Sequence, residues 1–525
     1  MLAACVTHAS SQDGSTGELF ARGIEQITDL YIEPISGQKL VFVGAKNLVK
    51  LDPRLGVSVG GNVRDRNTLA LTYDGIVAGS YQVPPEIDGN DAGEIVADII
   101  AAAKKASARV RSLPEDTIDK VVFDGMTGVL DRFSRYASPD EARDQRAARD
   151  GFGGIGITLE SANSDFSITA VSETGPAERA GLKVGDKIIA VDGAPVAGRQ
   201  PGDLIHQLRG PIGSIVDLTI ERPGVSGIHD YKLERALVVV PTVTATRDGN
   251  IAIFHVASFN QSTTQRVTEG IIEAQREVPG GKLAGIVLDL RGDPGGLLDQ
   301  AVSLSDLFIS KGPIIATTGR HPASHQYFGA TGHSIVPSTP LVVLVNGGSA
   351  SASEIVAAAL QDVGRAVLVG SSSYGKGTVQ TVMRLPNDGE LTLTWARLVT
   401  PSGYFLQQHG VVPTLCTAGA SGGDGSVDAV LRRPVDAGDP DASRPRVSLN
   451  EAAWAALRRS CPAETTSPAL DLKVAVRVLS DPSRYAAALG AIHPSGASAA
   501  PAETPTADAA LTAKGSGLSS PQRTP

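Results

Sequence analysis

"VLVNGGSASASEIVAAALQDVGRAVLVGSSSYGKGTVQ", Val343 to Gln380, sets three serines on alternate positions at the mouth of an apolar helix and then places one lysine between two glycines. Val343–Val345 reads as the end of a strand, and Ile355, Ala359 and Leu360 give the next segment an apolar helical face that stops at Gly364. Ser351 lies three residues before Glu354, an S-x-x-E capping box that accounts for the serine structurally. The same helix start aims unpaired N–H groups and positive dipole at whatever lies in front of it. A serine placed there can also be a nucleophile whose oxyanion meets the Ala352 N–H.

Working outward, strands alternate with helices from about Tyr231 to Pro413, as in "IAIFHVASF", "TQRVTEGIIEAQRE", "LAGIVLDLRG", "LLDQAVSLSDLF" and "PLVVLVNGG". That rhythm predicts βαβ units around a largely parallel sheet, residues 231–416. Residues 151–230 change to short alternating runs with turns ("GGIGITLE", "DKIIAVDG", "SIVDLTIERPG"), a small β-rich module with one helix at "PGDLIHQLRG". Residues 18–150 read as mostly helical, less regular around Leu40 to Val83, and residues 1–17 as a leader or linker. Residues 417–490 form a loop with two helices, around Asn450 to Arg459 and Ala469 to Leu479. Residues 491–525, rich in Ala, Pro, Ser and Thr, are expected to be disordered. The fold class is therefore α/β and multi-domain.

With 525 residues, 42% of them hydrophobic, and a net charge of −9, the chain can bury a large core. No basic stripe suits a phosphate backbone, so nucleic acid is not an expected partner. No apolar run approaches the roughly 18 residues of a membrane-spanning helix. Leu2-Ala3-Ala4-Cys5 resembles the lipobox of bacterial lipoproteins, which would anchor the chain to lipid through Cys5, although the basic and apolar segments that normally precede a lipobox do not precede it here. An apolar end of no consequence is the competing reading. Cys416 and Cys461 are then a candidate pair in an oxidising compartment, with two free thiols as the alternative.

A catalytic serine needs a base. The nine histidines offer no recognisable triad setting, and His321, His325 and His333 share a polar loop that is expected to face water. A lysine serves if its pKa falls from about 10.4 toward 7 or 8, which burial provides. Lys376, between Gly375 and Gly377 and between the apolar runs "AVLVG" and "TVQTVM", can be drawn into such a pocket; a solvated lysine in a glycine turn is the plain alternative. Asp362, 11 residues after Ser351, falls on the same helix face at the far end, with Arg365 its expected cationic partner.

"SASASEI", followed 25 residues after its middle serine by the lysine of "YGKGTVQ", resembles the carboxyl-terminal processing peptidases, the tail-specific serine proteases. "LDLRGDPGGLL" and "TPSGYFLQQHGVVP" resemble two more of their motifs, and "GFGGIGI" with "GPAERAGLKVGDKIIAVDG" resembles their PDZ module, so the likeness runs from about Thr117 to Thr414. The resemblance implies a PDZ module ahead of an α/β core of the ClpP/crotonase type. It implies Ser351 as nucleophile, Lys376 as base and Gln380 as a residue that orients the lysine, which requires the segment to curl into a turn. The oxyanion donors would be Ala352 N–H and Gly296 N–H, with Gly295 the second choice. A substrate tail would add as a strand to the PDZ module, its carboxylate on Gly153, Gly154, Ile155 and Gly156 and its last apolar side chain near Ile155 and Ile157, with Arg209 coupling tail to active site.

Gly292-Asp293, Tyr404 and Thr414 depart from the usual family residues, none of them in the dyad. No cofactor or metal is called for. The expected partners are proteins or peptides with apolar C-termini, with an activating adaptor, a lipid anchor and a homo-oligomer left open; the expected location is a bacterial periplasm or envelope. Two rival readings are a catalytically silent peptide- or lipid-binding protein on the same frame and an acyl-CoA enzyme of the crotonase type, which would not need the PDZ module.

Overall fold

A computed structural model describes residues 11–60, 67–162, 165–420, 424–432, 449–464 and 467–490. Its centre is a six-stranded sheet in the order Val243–Asp248, Ile251–Val256, Gly285–Asp289, Leu341–Val345, Val367–Gly370, Leu415–Cys416. The first pair is antiparallel and every later pair parallel. The strands Gly285–Asp289, Leu341–Val345 and Val367–Gly370 are buried along their whole length, which is why they read as unbroken Val, Ile and Leu runs rather than as alternating ones. Alternate residues still serve opposite faces. Ile286, Leu288, Val343 and Val345 pack with Ile355 and Val356 of the serine helix, Ala352–Asp362. Val287, Val342, Leu344 and Val369 face the other way, onto Val474 and Val478 of the helix Pro468–Leu479.

A second sheet, wholly antiparallel, joins Gln326–Gly329, Pro313–Thr318, Glu390–Val399 and Thr378–Arg384. Arg135–Ala137, arriving from the N-terminal region, pairs with the start of Glu390–Val399. Leu391 and Leu393 therefore belong to the same apolar cluster as Phe20, Ile24, Phe123 and Tyr136. The N-terminal unit and this second sheet share one hydrophobic core, and the strand Thr378–Arg384, which follows the Lys376 loop, reaches that seam through Met383.

The N-terminal unit departs from the expectation in two places. Helix Ser11–Leu30 already covers residues read as linker, and Cys5 lies outside the described residues. The irregular section contains helix Gly37–Asn47 and an antiparallel sheet of Leu55–Val59, Thr68–Tyr73 and Ile76–Gln82. Its alternation is short and interrupted by glycines and turn residues, so no long periodic run marks it in the sequence.

The β-rich module is a five-strand path, Ile228–Glu234, Ile215–Glu221, Lys187–Val191, Asp165–Val171 and Ile157–Ala162, with the helices Pro176–Arg179 and Pro201–Leu208. It extends a little past residue 230, because Ala236–Val238 returns to pair with Phe152–Gly154.

After Cys416 the described residues form four helices rather than two: Asp424–Leu431, Glu451–Ser460, Pro468–Leu479 and Pro482–Gly490. The tail expected to be disordered, 491–525, lies outside the described residues. Cys416, at the end of the last core strand, is bonded to Cys461, just past the helix Glu451–Ser460, across a separation of 45 residues. A loop of that length gives about 4 kcal/mol on the chain-entropy account. Calorimetry with and without reductant should show a matching fall in Tm; an unchanged Tm would mean that the helix is held by packing alone.

Candidate active site

The turn between strand Leu341–Val345 and the serine helix carries the three alternate serines, and the structure gives each a different task. Ser349 hydroxyl donates to Leu290 carbonyl at 2.7 Å and accepts from Asn346 N–H at 3.0 Å. Ser353 hydroxyl donates to Asp293 carbonyl at 2.9 Å. Both are fully buried ties to the neighbouring Asp289–Gly296 segment. Ser351 is half-buried, and its hydroxyl accepts from the Glu354 N–H in the capping box, while among the described residues it donates to no other group. Its backbone sits at φ 57°, ψ −112°, a conformation that costs a non-glycine residue about 1–3 kcal/mol and persists where surroundings enforce it.

What enforces it is Glu354, which sequence reading took as the partner in a capping box. Its carboxylate is fully buried and receives four donors. Oε2 accepts from Ser351 N–H at 2.9 Å and from Lys376 N–H at 2.8 Å; Oε1 accepts from Gly375 N–H at 2.7 Å and from the Ser373 hydroxyl. Burial pushes this carboxyl's pKa up, and the four donors oppose the rise. Arg458, on helix Glu451–Ser460, adds positive charge nearby while its own donors go to the Ser373 and His409 carbonyls. One oxygen atom thus holds the backbones of Ser351 and Lys376 together, although 25 residues separate them in the chain.

The glycines around Lys376 have steric reasons. Gly375 adopts φ 90°, and a Cβ at Gly377 would collide with the Gln407 nitrogen. Gln407 Oε1 then accepts from Gly377 N–H at 2.9 Å, so the "FLQQHG" segment braces the lysine loop. Tyr404, one of the departures from the family pattern, supports the same segment by packing on Trp454, ring centroids 4.8 Å apart. Lys376 itself is half-buried, its ammonium 4.9 Å from the centre of the Phe133 ring. Burial lowers its pKa below the ordinary lysine value, and Arg135 and Arg132 lower it further, against the pull of Glu354 and Asp131. The N-terminal region therefore supplies much of the lysine's environment, which no local motif announced. Among the described residues no hydrogen bond joins the Ser351 hydroxyl to the Lys376 ammonium.

Gln380 is not brought to Lys376. The segment continues as strand Thr378–Arg384 instead of curling into a turn, and the Gln380 amide donates to Thr378 at 3.0 Å and Thr394 at 3.1 Å. Thr394 in turn donates to Asp131 at 3.1 Å, and Asp131 accepts from Phe133 N–H at 2.7 Å. The glutamine reaches the lysine only through this chain to Phe133. Asp362 also differs from expectation: it accepts from Ser402 N–H at 3.0 Å and from the Ser402 hydroxyl at 2.6 Å. Arg365 points to the Phe308, Val336 and Thr339 carbonyls, which close the far end of the helix.

In front of the serine helix lies the Asp293–Gly296 turn. A Cβ added to Gly295 would lie 2.8 Å from both the Ala352 nitrogen and the Ser351 Cβ, so only glycine allows this approach. Gly295 N–H is committed to Asp293 Oδ1 at 2.8 Å. Among the described residues the N–H groups of Ala352 and Gly296 donate to nothing, while Gly296 is fixed by a bridge to Phe259.

In the β-rich module, Phe152–Gly154 is already paired with Ala236–Val238, so this part of "GGIG" is not an open loop. Gly156 follows at φ 76°. Ile155 is buried in the module's own core and offers no surface to a ligand, contrary to expectation; Ile157 is half-buried. Arg209 lies with its guanidinium 4.2 Å over Phe152 and pairs with Asp144 at 3.1 Å. Arg143, Arg146, Phe152, Gly153, Arg209 and Gly210 line a cleft of about 390 Å³. Arg146 also bonds Glu390 of the second sheet at 3.0 Å, so the cleft wall is tied to the peptidase core.

Comparison with known proteins agrees with this architecture. Residues 250–416 match Peptidase family S41 and residues 167–222 match the PDZ domain. The carboxy-terminal-processing protease of Bartonella bacilliformis is 39% identical over 306 residues, covering 58% of this chain and 70% of that protein. The carboxy-terminal processing protease of Bacillus subtilis is 35% identical over 301 residues, covering 56% and 63%. Among solved structures, a photosystem II D1 C-terminal processing protease aligns over 60% of this chain and 86% of its own, at 30% identity and a TM-score of 0.34. The chain belongs to peptidase family S41, the serine-type carboxy-terminal processing proteases that carry a PDZ domain.

Proposed function

We propose that Ser351 and Lys376 act as nucleophile and general base in peptide-bond cleavage. The observation that carries the reading is the division of labour among the serines: two hydroxyls donate their protons to backbone carbonyls, whereas the one at the strained helix mouth only accepts, from the Glu354 N–H, and keeps its proton uncommitted. Neutral Lys376 takes the proton from Ser351 as the serine oxygen bonds to the substrate carbonyl carbon. The C–N bond then breaks, the leaving amine takes the proton from the lysine ammonium, and an acyl-enzyme ester remains. Water hydrolyses the ester with the lysine again as base. The Ala352 and Gly296 N–H groups receive the oxyanion, each contributing about 10² to 10³ in rate. In the form described here the lysine rests over Phe133, so its side chain moves toward the serine when substrate arrives. Gln380 serves as a brace for Phe133 through Thr394 and Asp131.

The substrate class is a protein or peptide whose free C-terminus docks in the PDZ domain. The cleft beside Gly153 and Arg209 carries the guanidinium groups of Arg143, Arg146 and Arg209 against the one carboxylate of Asp150, an excess of positive charge that suits a terminal carboxylate, and its link through Arg146 to Glu390 gives a physical route from tail to core. The Cys416–Cys461 bond favours an oxidising compartment such as a bacterial periplasm or envelope. The lipobox-like run ending at Cys5 is consistent with attachment there, and no described helix is long and apolar enough to cross a membrane.

The deciding experiment is digestion of a reporter with a flexible apolar tail, compared with the same reporter amidated or ending in Asp-Asp. Cleavage should be abolished by Ser351→Ala and Lys376→Met and weakened when the tail is blocked. Survival of cleavage in Lys376→Met would remove the lysine from the base role, and no cleavage by any form would favour the silent peptide binder. Because a neutral lysine is required, the acylation rate should rise with pH on the acid side of its profile, from a midpoint below about 10.4. A midpoint at the ordinary lysine value would contradict the burial argument. Glu354→Gln replaces a four-acceptor carboxylate by an amide that must donate, so kcat should fall by about 10²-fold as serine and lysine lose registry. Unchanged kcat would show that the shared oxygen is not needed for alignment.

A further inference from the structure

Beside the serine, the Asp293 side chain is fully buried, and only half of it is satisfied. Oδ1 accepts from Gly295 N–H at 2.8 Å, whereas Oδ2 has no hydrogen-bond partner among the described residues. Asp293 is bound into the nucleophile's turn from both sides, its carbonyl accepting from Ala350 N–H at 2.9 Å and from the Ser353 hydroxyl at 2.9 Å. Among the described residues no cation is paired with it. Of the charged groups on the surrounding elements, Arg291 is turned to Asp289 and Asp471, at 2.7 and 3.0 Å, and His255 also faces Asp289. Glu354 is occupied by its four donors, Lys376 lies over Phe133, and Asp299 is exposed. An ionised carboxylate with one bare oxygen and no counter-charge is costly to bury, and a proton on that oxygen removes the charge.

We propose that Asp293 is a positioning residue that works as a neutral carboxylic acid: it holds the Asp293–Gly296 turn against the serine helix, and its ionisation sets an alkaline limit on acylation. The inference rests on the reading of Ala352 and Gly296 as oxyanion donors. A negative charge on Asp293 stands next to the groups that must receive the oxyanion, and it opposes the charge that develops in the transition state. Burial pushes the Asp293 pKa up to about 7, against the Gly295 N–H and the Ser353 hydroxyl. Two opposed requirements follow, a lysine that must lose its proton and an aspartic acid that must keep one. The result is a bell-shaped rate profile.

The test is single-turnover acylation of the full chain from about pH 5 to 9.5, wild type against Asp293→Asn, which stays neutral and keeps an oxygen for Gly295 N–H. The ratio of variant to wild-type rate should climb about 90-fold between pH 6 and pH 9, as a group titrating at about 7 requires; a flat ratio overturns the proposal. Thermal melting gives a readout independent of activity. Because the folded pKa is raised, the aspartate's contribution to stability is complete below about pH 4 and is lost as pH rises toward 7, so the wild-type Tm should fall relative to the asparagine variant across that window. A constant difference in Tm also overturns the proposal. If Asp293→Asn does not fold, the infrared signal of protonated buried carboxyls must still lose a component between about pH 5 and about pH 9 in an Asp119→Asn background, which removes the other buried aspartate raised to about 7. The Lys376→Met arm separates the two readings: activity surviving there rejects the dyad, whereas the Asp293 comparison stands or falls on the wild-type background.

Discussion

One buried carboxylate organises this peptidase. Glu354 receives N–H groups from the serine turn and from the lysine loop on a single oxygen, and everything else around the site either delivers those two segments to it or protects it from water. The parallel sheet delivers the serine, because strand Leu341–Val345 ends where the helix Ala352–Asp362 must begin. The next strand, Val367–Gly370, ends where the lysine loop begins, so the two loops emerge at neighbouring carboxyl ends of adjacent strands. Helix Glu451–Ser460, tethered by the disulfide, closes the back of the carboxylate with Arg458. Four hydrogen bonds to one group in a dry site explain how a strained serine is kept in place at tolerable cost.

The same economy governs the charges. Lys376 is poised between effects of opposite sign: burial, Arg135 and Arg132 favour the free base, and Glu354, Asp131 and the face of Phe133 favour the ammonium. Four of these groups come from the segment Asp131–Arg135, which leaves the N-terminal unit to join the second sheet. Movement of that segment, or of the PDZ domain attached to it through helix Pro139–Asp150, changes the lysine's surroundings without touching the lysine. The N-terminal region thereby shapes the surroundings of Lys376.

The strand–turn–helix around Ser351 was legible because burial on both sides forces continuous apolar strands and a capped apolar helix, signals that survive in a single sequence. The two glycines around Lys376 were equally legible, since steric demand leaves no other residue. Gln380 was misjudged because whether four residues form a turn or a strand is decided by pairing with Glu390–Val399, a partner more than ten residues away. Glu354 was seen only in its local role; its bonds to Gly375 and Lys376 depend on tertiary proximity that no local pattern encodes. Ile155 failed for a related reason, as alternation places it on one face of the module without telling which face is core. Asp293 was visible as an unusual residue, but its bare oxygen is a property of the packed turn.

The account stands on a lysine that can shed its proton in the folded enzyme. Carbon-13 NMR of enzyme labelled at the lysine ε-carbon, with Lys376→Met to assign the resonance, measures this directly. The account predicts that the Lys376 signal titrates below about 10.4, the ordinary lysine value, and moves back toward it when Arg135 is replaced by glutamine. A Lys376 signal that titrates with the solvent-exposed lysines, indifferent to Arg135, would contradict it.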